Sequence, residues 1–421
     1  MGTGNWDRRR TSRFGLSCRT GFSLFSWKIS LQRATAGWQP AVHLCSLLYL
    51  YKVTKHKPEN IKRVVVRGTN WVGDAVMTVP ALRALRRLLP DAHITLATRS
   101  FAKGIFADAD FIDDLLVYDP ASGTLRNLLA QAREWRNRGF DLAILFPNSF
   151  QAAVVALLGR VRYRIGYATE GRSLLLSHPL TLPAWRDARH ESFYYLNIIA
   201  EVEKLLCGQS KILEDQPSSH LSISGNRQSE AVDFLRAQGV RSGHPLIALC
   251  PGSINSRAKR WPTERYAELA DRLIAELGAE VILIGSAEEL AVSLDVSRQM
   301  KQQPIVLTGK TDLACAVAVL SEVDLLVTND TGPAHIAAAL VRPTLVIFGP
   351  TNPLTTRPLS SVAEIVRYPP DCAPCMLRDC PIDHRCMTAI TPDDIFNRAA
   401  VMLGSSGCQL VPVAQMQAGI L

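Results

Sequence analysis

Apolar runs alternate with helical patterns along the chain from residue 61 onward. In the first half, the runs that predict strands are 63–68, 94–100, 114–119, 141–148 and 163–168. The segments between them repeat apolar residues at helical spacing, as in AVMTVPALRALRRLL (75–89). Pro80 falls inside that pattern, and a proline there predicts a shortened or kinked helix.

The same alternation starts again after a polar stretch rich in Ser, Gly and Pro (213–229), which has the composition of a linker. The predicted strands of the second half are 246–253, 280–286, 304–309, 325–330 and 344–350. Near-continuously apolar strands between helices are typical of parallel sheets covered on both faces. The sequence therefore predicts an α/β protein with two doubly wound lobes, residues 58–222 and 223–421, and a shared cleft at the carboxyl ends of their strands.

The net charge of +9 does not indicate a nucleic-acid partner once it is located along the chain. Residues 1–57 hold ten Lys or Arg and one acid, and the remainder balances at 37 basic against 37 acidic residues. We expect this basic extension to be disordered or to follow from a start site placed too far upstream; a membrane-surface anchor and a targeting segment remain alternatives. No apolar stretch in the sequence is long enough to span a membrane.

The turn VTNDTGPAH (327–335) follows an apolar run and leads into an alanine-rich helical segment. Thr331 or Gly332 can cap that helix, and Pro333 suits its first turn. The free N–H groups and the positive end of the helix dipole then form a potential anion site. In the first half, the turn GTNWVGD places Asp74 at the start of a helix. It can be an ordinary first-turn acid, a general base that the helix end keeps ionised, or both, since the two interpretations are compatible.

Two other turns carry residues suited to a phosphorylated ligand. Ser253 and Lys259 follow a predicted strand and could bind phosphate, although a solvated basic loop has the same composition. Glu288, after another strand, could accept hydrogen bonds from a ribose, or could simply be an early helical acid. A bare GKT at 309–311 lacks the first glycine of a P-loop, and no GxGxxG is present in the sequence.

Two clusters of residues allow more than one interpretation. Arg160, Arg162 and Arg164 occupy alternate positions, which puts them on one face if the segment is extended. Together with the nearby Arg172 they could bind an anionic acceptor, or they could simply be solvated. Four cysteines lie close together and could hold structural zinc, form a redox-sensitive cluster or a disulfide, or simply contribute to packing: Cys372, Cys375, Cys380 and Cys386. The other cysteines are scattered, which indicates a reducing compartment.

The motifs GTNWVGDAVM, FPNSF, CPGS…AKRWP, TNDTGPAH and FGPTNP, in this order, resemble the ADP-heptose:lipopolysaccharide heptosyltransferases, and most closely those of type II. The resemblance covers about residues 61–400. It implies a two-lobed GT-B fold, with an acceptor-binding first lobe and a donor-binding second lobe. It also implies inverting transfer of L-glycero-D-manno-heptose from ADP-heptose to heptosyl-Kdo2-lipid A in lipopolysaccharide core biosynthesis.

The resemblance also implies roles for individual residues. Asp74 would be the base that deprotonates the acceptor hydroxyl, and Lys259 a diphosphate contact. Thr331, Gly332 and His335 would hold the diphosphate, Asp330 the sugar hydroxyls, and Glu288 the ribose or adenine. The resemblance further implies that no metal or other cofactor is required and that the enzyme works in the cytoplasm against the inner-membrane surface. A type I or type III enzyme, another acceptor, or a non-catalytic nucleotide-sugar-binding protein are the alternatives.

Overall fold

The computed structural model describes residues 60–118 and 125–404. The basic extension (1–57) and the end of the predicted strand 114–119 therefore lie outside the described residues. None of the helices in the described ranges combines the length and the apolar content that crossing a bilayer requires.

The first lobe is built on a parallel sheet of six strands in the order β3-β2-β1-β4-β5-β6. Its strands are β1 (Arg63–Arg67), β2 (His93–Thr98), β3 (Asp114–Val117), β4 (Leu142–Leu145), β5 (Tyr163–Tyr167) and β6 (His178–Leu180). All five predicted strands are present. The sequence pattern does not reveal β6, because this three-residue edge strand contains Pro179 and lacks an apolar run.

Helices cover this sheet: α1 (Val72–Met77), α2 (Val79–Leu88), α3 (Leu125–Arg138), α4 (Phe150–Leu158) and α5 (Glu191–Cys207). The predicted break at Pro80 is confirmed, since α1 ends before Thr78 and Pro80 occupies the first turn of α2. The break keeps α1 to six residues. This short helix carries Asp74.

The second lobe repeats the design with the strand order β12-β11-β10-β7-β8-β9, again all parallel. Its strands are β7 (Leu246–Cys250), β8 (Glu280–Leu283), β9 (Ile305–Val306), β10 (Leu325–Asn329), β11 (Thr344–Ile347) and β12 (Ala363–Val366). The edge strand β12 is half-buried along most of its length, which explains why its apolar signal is weak.

The helices of the second lobe are α6 (Gly225–Ala237), α7 (Thr263–Leu277), α8 (Leu290–Gln299), α9 (Leu313–Glu322), α10 (Gly332–Ala339), α11 (Pro353–Thr356), α12 (Arg385–Thr388) and α13 (Pro392–Met402). Helix α6 begins inside the stretch that the sequence predicts as a linker. One apolar core runs from the first lobe into the second, joining residues such as Phe106 and Val317. Arg227 reinforces this junction, because its guanidinium pairs with Asp108 and donates to the carbonyls of Gly104 and Ala314.

Both strand orders have a switch point, where neighbouring strands lead to connections on opposite sides of the sheet. In the first lobe it lies between β1 and β4, and in the second between β7 and β10. Open parallel sheets bind ligands beyond the carboxyl ends of the strands at such points. The four motifs GTNWVGD, FPNSF, CPGS and TNDTG begin at these four strand ends.

Candidate functional site

The amino ends of α1 and α10, one from each lobe, are in direct contact. A Cβ built on Gly73 would stand 3.1 Å from Cδ2 of His335, and one on Gly332 would stand 2.6 Å from Cγ1 of Val72. A side chain at Gly332 would therefore force the two helices apart, and one at Gly73 would press tightly on the imidazole. The contact brings Asp74 of the first lobe to the turn at 330–335 of the second.

Helix α10 begins with its N–H groups uncapped by side chains among the described residues. Its N-cap is Thr331, which is in an extended conformation and makes no capping hydrogen bond. The Thr331 hydroxyl instead lies 3.3 Å from the carbonyl oxygen of Asn329 and 3.2 Å from the Thr328 hydroxyl. The positive helix end is therefore free to receive an anion.

Lys259 lies beside this helix end and is held by Asp330. Its Nζ is 2.8 Å from Oδ2 and 3.1 Å from the backbone oxygen of Asp330. Thr351 donates to the same Oδ2 at 2.7 Å. Asp330 is buried, so this pairing compensates its charge and fixes the ammonium group. In this structure Asp330 pairs with Lys259. Its contact with sugar hydroxyls, which the resemblance implies, stays a prediction.

Asn329, which the sequence analysis does not single out, fixes the shape of the Lys259 loop. The side chain is fully buried. Its Oδ1 accepts from the backbone N–H of Trp261 at 3.0 Å. Its Nδ2 donates to the carbonyls of Pro251 and Gly252 at 2.9 and 3.1 Å. The amide thereby ties the end of β10 to both ends of the loop after β7. Its signal in the sequence is a polar residue at the end of an otherwise apolar strand.

Asp74 is half-buried in the first turn of α1. Burial, reinforced by the nearby Glu191 carboxylate, raises the pKa of Asp74 to about 6, while Lys259 acts in the opposite direction. Desolvation is the largest cause of this shift, and the role of Asp74 as a general base stays a prediction. A pKa near 6 still leaves the carboxylate ionised at neutral pH and makes it a competent proton acceptor.

Two further residues of the first lobe belong to this site and are not apparent from the sequence. Glu191 opens α5, and burial raises its own pKa. The preceding His190 caps α5 by accepting from the Ser192 N–H at 3.1 Å, and its Nε2 donates across to the Arg357 carbonyl at 2.7 Å. Burial lowers the pKa of His190 and of His335 to about 4 each, so both rings are neutral at pH 7.

Ser253 and Glu288 follow the strands β7 and β8, as predicted, and have different surroundings. Ser253 is buried, and its carbonyl accepts two hydrogen bonds from the Arg260 guanidinium. Glu288 is fully exposed, whereas its neighbour Glu289 is buried. Glu289 accepts from the Ser286 N–H at 2.9 Å, and its carboxylate fills the space in front of Gly252.

The four arginines do not share one face. Arg160 has a positive φ of 57°, which breaks the predicted alternation before β5 begins. Arg160 and Arg162 are exposed on the side of the sheet where β5 starts, away from the carboxyl ends. Arg164 and Arg172 are buried, and their guanidinium groups donate to backbone carbonyls such as those of Leu175 and Tyr167.

The four clustered cysteines line one small cavity together with His384. They range from the exposed Cys372 to the buried Cys386, whose pKa is raised to about 11 by burial and by the other three thiols. Within residues 60–118 and 125–404, no group of three or more His, Cys, Asp or Glu side chains is arranged to hold a metal ion. The zinc prediction therefore has no support from the described residues.

Two doubly wound parallel sheets that direct their switch points to one cleft define the two-lobed GT-B class of glycosyltransferases. The family model described as glycosyltransferase family 9 (heptosyltransferase) matches residues 128–385. The chain belongs to this family and is a glycosyltransferase. The resemblance in the motifs is thereby confirmed.

Individual relatives agree with this assignment. Lipopolysaccharide heptosyltransferase 2 of Salmonella typhimurium is 31% identical over 323 residues, which cover 72% of this chain and 88% of that protein. The protein of the same name from Escherichia coli is 31% identical over 324 residues, with the same coverage. The solved structure of E. coli ADP-heptose lps heptosyltransferase II is 26% identical, covers 81% of this chain and 98% of that one, and superposes with a TM-score of 0.69.

Proposed function

We propose that this enzyme transfers L-glycero-D-manno-heptose from ADP-heptose to heptosyl-Kdo2-lipid A, with inversion at the anomeric carbon. The observation that carries the proposal is the contact between Gly73 and His335, which joins a carboxylate and an anion-binding helix end across one cleft. The named relatives, which are heptosyltransferases of type 2, support the choice of sugar and acceptor.

On the donor side, the diphosphate of ADP-heptose lies at the amino end of α10, with Lys259 beside it. Negative charge builds up on the diphosphate as the bond from the anomeric carbon to its oxygen breaks. The helix end and the ammonium group, both fixed beforehand, stabilise that charge without reorganising. Neutral His335 lines this cradle as a hydrogen-bonding group, since its ring carries no charge at pH 7. No step of this proposal needs a metal ion.

On the acceptor side, Asp74 removes the proton from the acceptor hydroxyl. The hydroxyl oxygen attacks the anomeric carbon from the face opposite to the diphosphate, which produces inversion, and ADP leaves. A base with a pKa near 6 suits this role because it is ionised at neutral pH and still basic enough to accept a proton.

A lipid-linked acceptor places the reaction at the cytoplasmic face of the inner membrane, and we propose a peripheral contact there. Of the four arginines first considered for the acceptor, Arg164 and Arg172 are committed to backbone carbonyls. Arg160 and Arg162 have exposed side chains at the opposite edge of the sheet from Asp74. Anionic groups of the acceptor that bind close to Asp74 must therefore use other residues.

The test is release of ADP from purified ADP-heptose with two defined acceptors, Kdo2-lipid A and heptosyl-Kdo2-lipid A, in the presence and absence of EDTA. We expect release only with the heptosylated acceptor, unaffected by EDTA, and a product heavier by one heptose. Transfer only to Kdo2-lipid A would instead identify a type I activity. Binding of ADP-heptose without transfer to either acceptor would favour a non-catalytic protein or another acceptor.

A further inference from the structure

The segment that carries Lys259 is held from outside the cradle by the cysteine loop (residues 371–386). The Ala258 N–H donates to the carbonyl of Arg378 at 2.9 Å. The Ser256 hydroxyl, which is buried, lies 3.3 Å from the carbonyl oxygens of both Leu377 and Arg378. Lys259 is therefore fixed by Asp330 at its tip and by the cysteine loop behind its backbone.

Within the cysteine loop, the side chain of His384 contacts the residue that directly precedes Lys259. Its Nε2 is 2.6 Å from the carbonyl oxygen of Ala258. A carbonyl oxygen can only accept, so Nε2 carries the proton and donates. Ala258 is the middle residue of the short 3-10 turn Arg257–Lys259, and this hydrogen bond therefore acts on the turn that aims the ammonium group.

The backbone of His384 supports a role for its side chain. The residue has a φ of 57°, in the left-handed region that favours glycine. A bulky residue in that conformation costs energy, which surrounding contacts must offset. The bond to Ala258 is one such contact, and it ties the position of the imidazole to that of the Lys259 turn.

We propose that His384 is a positioning residue for the donor diphosphate: by holding the Ala258 carbonyl, it fixes the turn that directs Lys259 into the cradle. The proposal rests on the proposed function, in which Lys259 binds the diphosphate. The proposal assigns His384 no direct contact with donor or acceptor, since its Nε2 is engaged by the Ala258 carbonyl. Its effect on ADP affinity must therefore pass through Lys259.

The experiment measures the dissociation constant of ADP by calorimetry for four proteins that form a double-mutant cycle: wild type, His384→Ala, Lys259→Ala and the double variant. We expect His384→Ala to weaken ADP binding about tenfold in the wild-type background, the size of one well-formed hydrogen bond. In the Lys259→Ala background we expect no further loss, because residues that act through one another are not additive. An equal loss in both backgrounds would overturn the proposal.

Conservative and control variants sharpen the test. His384→Gln keeps an N–H donor near the position of Nε2 and should retain most of the affinity that His384→Ala loses. His244→Ala is the matched control, since its Nδ1 makes a similar contact to the Gly278 carbonyl at 2.9 Å, outside the cleft. It should leave ADP affinity unchanged. If His384→Gln binds ADP as weakly as His384→Ala, the hydrogen bond is not responsible and the proposal is wrong.

If His384→Ala does not fold, Ser256→Ala takes its place in the cycle, because it removes another contact between the same two segments. We expect a smaller loss of affinity that again disappears in the Lys259→Ala background; a loss that persists there contradicts the proposal. A wild-type protein that binds no ADP would overturn both the proposed function and this inference. Wild-type binding that depends on Lys259 but not on His384 would overturn this inference alone.

Discussion

Gly73 lies against the imidazole of His335, so closely that a methyl group there would make a tight contact with the ring. A Cβ at Gly73 would stand 3.1 Å from Cδ2 and 3.4 Å from Nε2 of that ring. Gly73 precedes Asp74, and His335 is the fourth residue of α10. This one contact therefore sets the distance between the proposed base and the proposed diphosphate cradle.

Gly332→Ala should separate the two helices. The new methyl group would stand 2.6 Å from Cγ1 of Val72, closer than real Cβ contacts, so α1 must move away. We expect turnover to fall at least tenfold, while ADP affinity stays within about threefold, because the alanine keeps the N–H of the helix end. Steady-state kinetics and calorimetry measure the two effects. Gly225→Ala, in α6 with open space around it, is the control and should change neither; wild-type turnover in Gly332→Ala would show that the contact is not needed.

Glu191→Gln should shift the pH dependence of the reaction. The Glu191 carboxylate raises the pKa of Asp74, so its removal lowers that pKa, while burial keeps it above the ordinary value. The acid limb of kcat/KM reports the base of the free enzyme. We expect its midpoint to move from about pH 6 to a lower pH by roughly half a unit. Glu201→Gln, on the same helix, should leave the profile in place, and an unchanged or upward midpoint in Glu191→Gln would contradict this assignment.

His190 should make the protein less stable in mild acid. Its pKa is about 4 in the folded protein, below the ordinary 6.5, because the ring is buried. The unfolded chain therefore binds a proton that the folded one does not, and stability that is present above pH 6.5 is lost as the pH falls through 4. One unit of pKa difference corresponds to about 1.4 kcal/mol.

The measurement is the melting temperature between pH 7 and pH 4.5. We expect it to fall less steeply in His190→Asn than in wild type, since asparagine can still cap α5 but does not titrate. His335, with its own pKa of about 4, keeps part of the slope. The exposed His220 provides the control variant, His220→Asn. Identical slopes in wild type and His190→Asn would refute the assignment of a buried neutral ring.

Lys259→Ala should weaken both ADP binding and turnover. The variant removes a positive charge from the cradle and leaves the buried Asp330 carboxylate without its closest cation. We expect at least a tenfold loss of ADP affinity and a larger loss of kcat/KM, since the charge matters most in the transition state. Lys259→Arg should retain part of both, and full ADP affinity in Lys259→Ala would exclude the lysine from the diphosphate site.

The sequence predicts the two-lobed fold and the strand ends that carry the motifs, because central parallel strands are apolar runs and Gly, Pro and Asp mark the turns. It misses the edge strands β6 and β12, which lack an apolar run. It also predicts the neighbourhood of Asp74 and His335, once both are placed at carboxyl ends of strands. It does not predict the partners of a polar residue. Arg164 and Arg172 have the composition of a binding surface, yet they satisfy backbone carbonyls inside the first lobe.

The same limit explains the residues that the sequence analysis misses. Glu191 reaches Asp74 from a helix more than a hundred residues away, and His190 contacts Arg357 across the lobes. These distances along the chain leave no local pattern. The tertiary structure also decides between adjacent acids, since Glu289 is buried and Glu288 is not. Spacing alone likewise cannot establish that four cysteines converge on a metal.

The most direct test of the central claim is a pair of measurements on Asp74→Asn: ADP affinity and the rate of acceptor-dependent ADP release. If a carboxylate of one lobe acts on a sugar whose diphosphate is held by the other, ADP affinity stays within about twofold of wild type. The rate should then fall by about a thousandfold, as expected when a general base is removed. A variant that transfers heptose at nearly the wild-type rate, or that loses ADP affinity while its turnover persists, would contradict the account.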